Sequence, residues 1–182
     1  MRITSAERAV LTALDQILRL ETVRISIRPV VERVRAKLSR QTSAVMAWEP
    51  MPLSIYGGAV PDAIKSSWVF VLRAGVNTGP ERHPNSHQRM MSFQGCGEMQ
   101  LQDQSSAPKD EAWQSNLLIS DPNAALETRW ISIPQNVWHR PVVSKEEDWV
   151  VISFHTVSAE DLIEERPGTQ RHDRTKQMRY LG

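Results

Sequence analysis

The sequence predicts a mainly β fold, a barrel or sandwich of short strands, preceded by a helical arm. Two observations carry that reading. Over the first forty residues apolar side chains recur every three or four positions, the spacing of one helical face. From about Trp48 onward, prolines and glycines punctuate short apolar runs at close spacing, the signature of many short strands joined by turns. The expected organisation is an arm over 1–45, a barrel over 46–160, and a C-terminal helix and tail over 161–182.

In the arm, Thr4 and Glu7 have the spacing of a capping box, and Val10, Leu11, Leu14, Ile17 and Leu18 form the face behind it. A second face follows with Val30, Val31, Val34 and Leu38, while Arg33, Arg35, Lys37 and Arg40 lie elsewhere on the same helix as a solvated surface. The strand runs are WEPMPLSIYGGAVP, SSWVFVLRAG, RMMSFQGCGEMQLQ, SNLLISDP, TRWISIP, HRPVVS and DWVVISFHTV. The last, Trp149 to Val157, is almost continuously apolar and β-branched, as a strand covered on both sides would be. Cys96 falls beside Gly95 and Gly97 in a tight turn. A short helix is expected at AEDLIEERP, stopped by Pro167, before a polar and basic tail that contains His172.

Bulk properties exclude several classes. With 22 Lys and Arg against 21 Asp and Glu, no overall field favours nucleic acid or an acidic membrane surface. One cysteine gives no internal disulfide, and a reducing cytoplasm is the expected compartment. No apolar run is long enough to span a bilayer, and the N-terminus has no signal-like core. Hydrolase and nucleotide-binding fingerprints are missing too.

The chemistry concentrates in GPERHPNSHQ, residues 79–88, which holds two of the five histidines. On a strand, Glu81 and His83 share a face and Arg82 points away. Two ligands on one face need a partner from another strand, and ISIPQNVWHRPVV offers His139 after a turn containing Pro134 and Asn136.

These residues resemble the cupin superfamily. Glu81-x-His83-x4-Gln88-x6-Gly95 is similar to its first motif, G(x)5HxH(x)3–4E(x)6G, and Pro134-x-Asn136-x2-His139 to its second, PxGxxH. Glu81 stands where the first histidine is usual, Gln88 where glutamate is, and Asn136 where glycine is. The resemblance implies a double-stranded β-helix, or jelly roll, whose two motifs meet on one metal. It implies Glu81, His83 and His139 as the ligands, a two-histidine, one-carboxylate set that suits Fe(II), with Zn(II) or Mn(II) as alternatives. Gln88 is then a fourth ligand or a substrate contact, and His87 a proton donor or the third ligand in place of Glu81.

Within cupins the chain distantly resembles thiol dioxygenases of the cysteine dioxygenase type. Those carry a late Ser-x-His-x-Tyr relay, and here the run is Ser153-Phe154-His155-Thr156-Val157, with valine at the tyrosine position. The implied function is a mononuclear non-heme iron oxygenase acting on a small polar substrate and O2. A metal-dependent isomerase or a small-molecule-binding cupin, dimerised by its arm, are the alternatives. His155 and Ser153 are the expected proton-moving pair. Arg73 and Arg82 are the candidates to hold a substrate carboxylate, and Trp138 and Trp68 to line the pocket mouth.

Overall fold

A computed structural model describes residues 3–58, 60–102 and 113–167, together with the backbone of 178–179. Two helices lead the chain, α1 (Ser5–Arg19) and α2 (Glu21–Arg40). Thr4 caps α1 by accepting the amide of Glu7 at 3.2 Å. The reciprocal half of the capping box is not made, because the Glu7 carboxylate turns to the barrel and takes two bonds from Arg89, each 2.7 Å. The second helix starts nine residues before its predicted apolar face and carries Pro29 in its interior.

Eight strands build the body: β1 (Met46–Met51), β2 (Ser66–Leu72), β3 (Gln88–Gln94), β4 (Cys96–Gln102), β5 (Gln114–Ile119), β6 (Trp130–Ile133), β7 (Trp138–Val143) and β8 (Trp149–His155). A four-residue helix, α3 (Leu126–Arg129), precedes β6. All pairings are antiparallel. One sheet has the order β1-β2-β8-β3-β6 and the other β5-β4-β7. The late β8 inserts between β2 and β3, a Greek-key return, and the chain crosses between the sheets repeatedly, so the fold is a two-sheet jelly roll with a helical arm.

Two apolar clusters explain why β2 and β8 are buried along their whole length. Val69, Val71, Val150, Ile152 and Phe154 pack outward against Leu14, Leu18, Ile27 and Val34 of the helices. Trp68, Phe70, Trp149 and Val151 pack inward, against Met99, Leu101 and Leu118 of the smaller sheet. The large sheet is therefore the middle layer of three. Its alternating side chains serve both clusters, which is why β8 reads as one apolar run instead of an alternation.

An ion network ties the arm to the barrel. Asp15, 6% exposed, accepts from the Arg129 guanidinium through both oxygens and from Trp130 Nε1 at 2.9 Å. Burial alone would raise its carboxyl. The bonds from Arg129, Trp130 and Arg19 outweigh that and hold it below the usual range.

The glycines do specific work at one turn. Gly95 has φ +76°, and a Cβ there would stand 2.8 Å from the carbonyl oxygen of Asp148, so the β3–β4 turn admits only glycine. Cys96 follows as the first residue of β4 and is a half-buried free thiol.

The segment expected to be a C-terminal helix is not one. After turns at Ala159–Asp161 it forms β9 (Ile163–Glu164), which pairs with β10 (Met178–Arg179). Glu165 then exchanges both backbone bonds with Arg82, each 3.0 Å. Tertiary pairing with the 81–83 segment overrides the helical preference of the Glu-rich stretch. His172 and most of the tail lie outside the described residues.

Candidate functional site

The two sequence motifs meet through their backbones. Glu81 and His139 form a hydrogen-bonded antiparallel pair, N–H to carbonyl in both directions at 2.8 Å. Directly opposed residues place their side chains on one side, here the barrel interior. The turn at Pro134–Val137 sets the approach. Asn136 adopts φ +63°, the left-handed conformation expected where the motif usually has glycine, and its amide donates to the carbonyl of His83 at 3.1 Å.

One ligand atom from each of Glu81, His83 and His139 lies within 4.8 Å of the others, and all three residues are buried. The histidine tautomers follow from their partners. His83 Nδ1 is 2.9 Å from the carbonyl oxygen of Ile163, and His139 Nδ1 is 3.1 Å from that of Val137. A carbonyl only accepts, so both Nδ1 atoms carry the proton and both Nε2 atoms present a lone pair. Among the described residues His139 Nε2 is buried without a hydrogen bond, and it sits 3.3 Å from Glu81 Oε1. Two acceptors at that distance repel unless a cation, a proton or a metal ion, lies between them.

Electrostatics favour this state. Burial, with the charge of His139 next in size, pushes His83 down to about 4, so its imidazole is neutral near pH 7. Burial opposes ionisation of Glu81. In the metal-free chain a proton shared with His139 Nε2, together with Arg166 and His83, overcomes it and brings the carboxyl to about 2. Arg166 Nη2 is 2.8 Å from Glu81 Oε2, and its Nε is 2.5 Å from Glu164 Oε1. Arg166 and the Ile163 carbonyl were missed in the sequence. Each lies at least eighty residues beyond the residue it supports, and no local spacing signals them.

Beside the cluster runs a hydrogen-bonded chain. His155 Nε2 is 2.6 Å from Ser153 Oγ, its Nδ1 is 3.2 Å from Ser86 Oγ, and Gln88 Nε2 donates to Ser153 Oγ at 3.3 Å. The His83 and His155 rings meet edge to face with centroids 5.0 Å apart. Burial, then the charges of His83 and His139, pushes His155 well down, so it too is neutral. Gln88 Oε1 is buried without a partner among the described residues.

Five expected site residues lie elsewhere. His87 is one residue out of phase with Gln88 and faces the other side of the sheet, where its Nε2 is 2.7 Å from Ser132 Oγ. It is neither an alternative ligand nor a relay in this arrangement. Arg73 caps the end of α2, donating to the carbonyls of Leu38 (2.7 Å), Gln41 (3.0 Å) and Ala44 (2.7 Å). Arg82 points away from the cluster, as its parity predicted, and pairs with buried Glu165 at 2.7 Å. The Arg82 guanidinium also stacks 4.6 Å from the Trp138 ring. Trp138 therefore belongs to the face opposite His139, and Trp68 is fully buried in the inner core.

Neither a protein-family model nor a curated protein matches the chain. Solved structures do resemble it. CapF, a capsular polysaccharide assembling protein of Staphylococcus aureus, aligns with TM-score 0.45 and 14% identity over 60% of this chain and 26% of that one. Oxalate oxidase in complex with the substrate analogue glycolate gives 0.43 and 19%, covering 62% and 53%. Recombinant pro-11S globulin of pumpkin gives 0.49 and 17%, covering 68% and 28%. The chain thus spans about half of one relative and little more than a quarter of the others. Identities this low leave the chemistry to be argued from the residues themselves.

Proposed function

We propose that the barrel is a mononuclear metalloenzyme of the cupin type, with Glu81, His83 and His139 holding the ion. One observation carries this reading. Two histidines with Nδ1 anchored to carbonyls turn lone pairs toward a buried carboxylate, and the bare His139 Nε2 faces Glu81 Oε1 at 3.3 Å. The donor set fits a divalent cation, and two neutral imidazoles with one carboxylate favour Fe(II). Such an ion supplies open coordination positions for a small polar substrate and for O2.

The chain's own groups do the rest. Arg166 balances the charge on Glu81 and holds one of its oxygens. Gln88 Oε1 offers the substrate an acceptor that none of the described residues occupies. His155, set between Ser153 and Ser86, can accept or release a proton without leaving its place. The apolar inner cluster around Met99, Leu101 and Ile133 excludes water.

The same donors would also suit Zn(II) or Mn(II) acting as a Lewis acid in an isomerisation. Metal analysis of purified wild type, His83→Ala and His139→Ala tests the site: about one ion per chain is expected in the wild type and loss in both variants. Full occupancy surviving both substitutions would refute it. An electron paramagnetic resonance signal on adding nitric oxide to the iron-loaded protein supports oxygen chemistry. Tightly held zinc without that signal favours the Lewis acid.

A further inference from the structure

A cavity lies beside the barrel, lined by none of the three metal-cluster residues. It lies at the open seam between β6, the last strand of the large sheet, and β5 of the small one, and the first turn of α1 closes it from outside. Its volume is about 460 Å3, within the range of pockets that hold small organic ligands. Ile3, Leu101, Ile131 and Pro134 supply apolar walls, and His87 and Ser132 polar ones.

We propose that this cavity binds a small, uncharged, largely apolar molecule bearing a hydrogen-bond donor, of the phenol or indole class. The hydrogen bonds assign the polarity. Ser132 Oγ is 2.7 Å from Glu7 Oε1 and 2.7 Å from His87 Nε2. The ionised carboxylate has no proton to give, so the single serine proton goes to Glu7, and His87 Nε2–H must donate to the serine oxygen. His87 Nδ1 is then the unprotonated nitrogen, an acceptor that has no partner among the described residues. Burial, with the Arg89 charge second, lowers the histidine further and keeps it uncharged near pH 7.

The charges around the cavity are already matched. Glu7 is held by Arg89, and Arg8 at the rim pairs with Glu127. A charged ligand would have to break one of these pairs, whereas a neutral donor satisfies the open acceptor on His87. The sequence singled out His87, and the metal cluster leaves it aside. This cavity gives it a role.

The test is titration of the 182-residue chain with phenol, toluene and benzoate, followed by amide shifts in nuclear magnetic resonance spectra. Phenol should saturate with a Kd on the order of 1 mM or tighter, with shifts centred on His87 and Ser132. Toluene has the same shape without the donor and should bind about tenfold more weakly, and benzoate no better than toluene. His87→Phe keeps an apolar wall and should reduce phenol to the affinity of toluene. Ile3→Trp fills the cavity from the arm and should weaken both probes, so the proposal stays testable if His87→Phe fails to fold. Equal affinity for phenol and toluene, a phenol preference that survives His87→Phe, or phenol binding unchanged by Ile3→Trp would each overturn it. None of these readouts involves Glu81, His83 or His139, so their outcome is independent of the metal proposal.

Discussion

The amide of Asn136 donates to the carbonyl of His83 at 3.1 Å, and this bond joins the two sequence motifs outside their ligand side chains. It forms because Asn136 takes a left-handed conformation that turns its N–H back toward the 81–83 segment. Asparagine tolerates that region better than alanine does, so Asn136→Ala should lose about 1 kcal/mol of stability in urea denaturation, whereas Asn136→Gly should be nearly neutral. Equal losses in both variants would show that the side chain, and not the backbone conformation, matters at this turn.

Stability should fall as the metal-free protein is acidified from neutrality. His83 titrates at about 4 in the folded chain and His155 well below its ordinary value, while both titrate near 6.5 when unfolded. Between those limits the unfolded chain binds more protons, so the stability present above about 6.5 drains away as pH falls. The slope approaches ~1.4 kcal/mol per pH unit for each histidine. Glu81, depressed to about 2, adds a loss of the same sign below about 4.5. Replacing His83 by Gln should roughly halve the slope between pH 5 and 6. An unchanged slope, measured by denaturant titration at several pH values, would show that His83 is not kept neutral by the fold.

Arg73→Ala removes three bonds to the carbonyls that end α2 and should cost about 1–3 kcal/mol. Metal content and any substrate affinity should stay at the wild-type level, since the guanidinium never reaches the cluster. A selective loss of substrate affinity in a variant of normal stability would return Arg73 to the site.

Cysteine and close thiols should be poor substrates. The strand that presents Ser153 and His155 ends at His155, and Val157, two residues further on, is partly buried against the inner core and offers no hydroxyl. An interaction of a few kcal/mol in the transition state is thereby missing. Oxygen consumption with millimolar cysteine should not exceed background in the iron-loaded wild type. Conversion to the sulfinic acid would restore the closer relationship to thiol dioxygenases.

Much of the fold was legible because its signals are local. The period of three and four located α1, and each strand of the two main sheets overlapped a run bounded by turn residues, beginning at most two residues before it. The parity of Glu81, Arg82 and His83 gave the right facing for all three, and the glycine-like turn at Asn136 was readable from its motif position. The sequence misled where facing depends on long-range register. His87 sits one position out of phase with Gln88, so counting histidines alone could not tell inside from outside. Arg73 and the Glu-rich 160–165 stretch were misjudged because carbonyls of α2 and the backbone of Arg82, far away in the chain, decide what they do. Arg166 left no trace in local pattern at all.

The three-layer arrangement has a consequence for how the molecule comes apart. Val69, Val71, Val150 and Ile152 are covered by the helices, while their strand neighbours Trp68, Phe70 and Val151 are covered by the small sheet. Peeling either layer away wets strands that the other layer also needs, so arm and barrel have no separate melting steps. Amides in the middle of β2 and β8 are then expected to exchange with solvent only when the whole chain opens, and the arm behaves as an internal wall of the barrel.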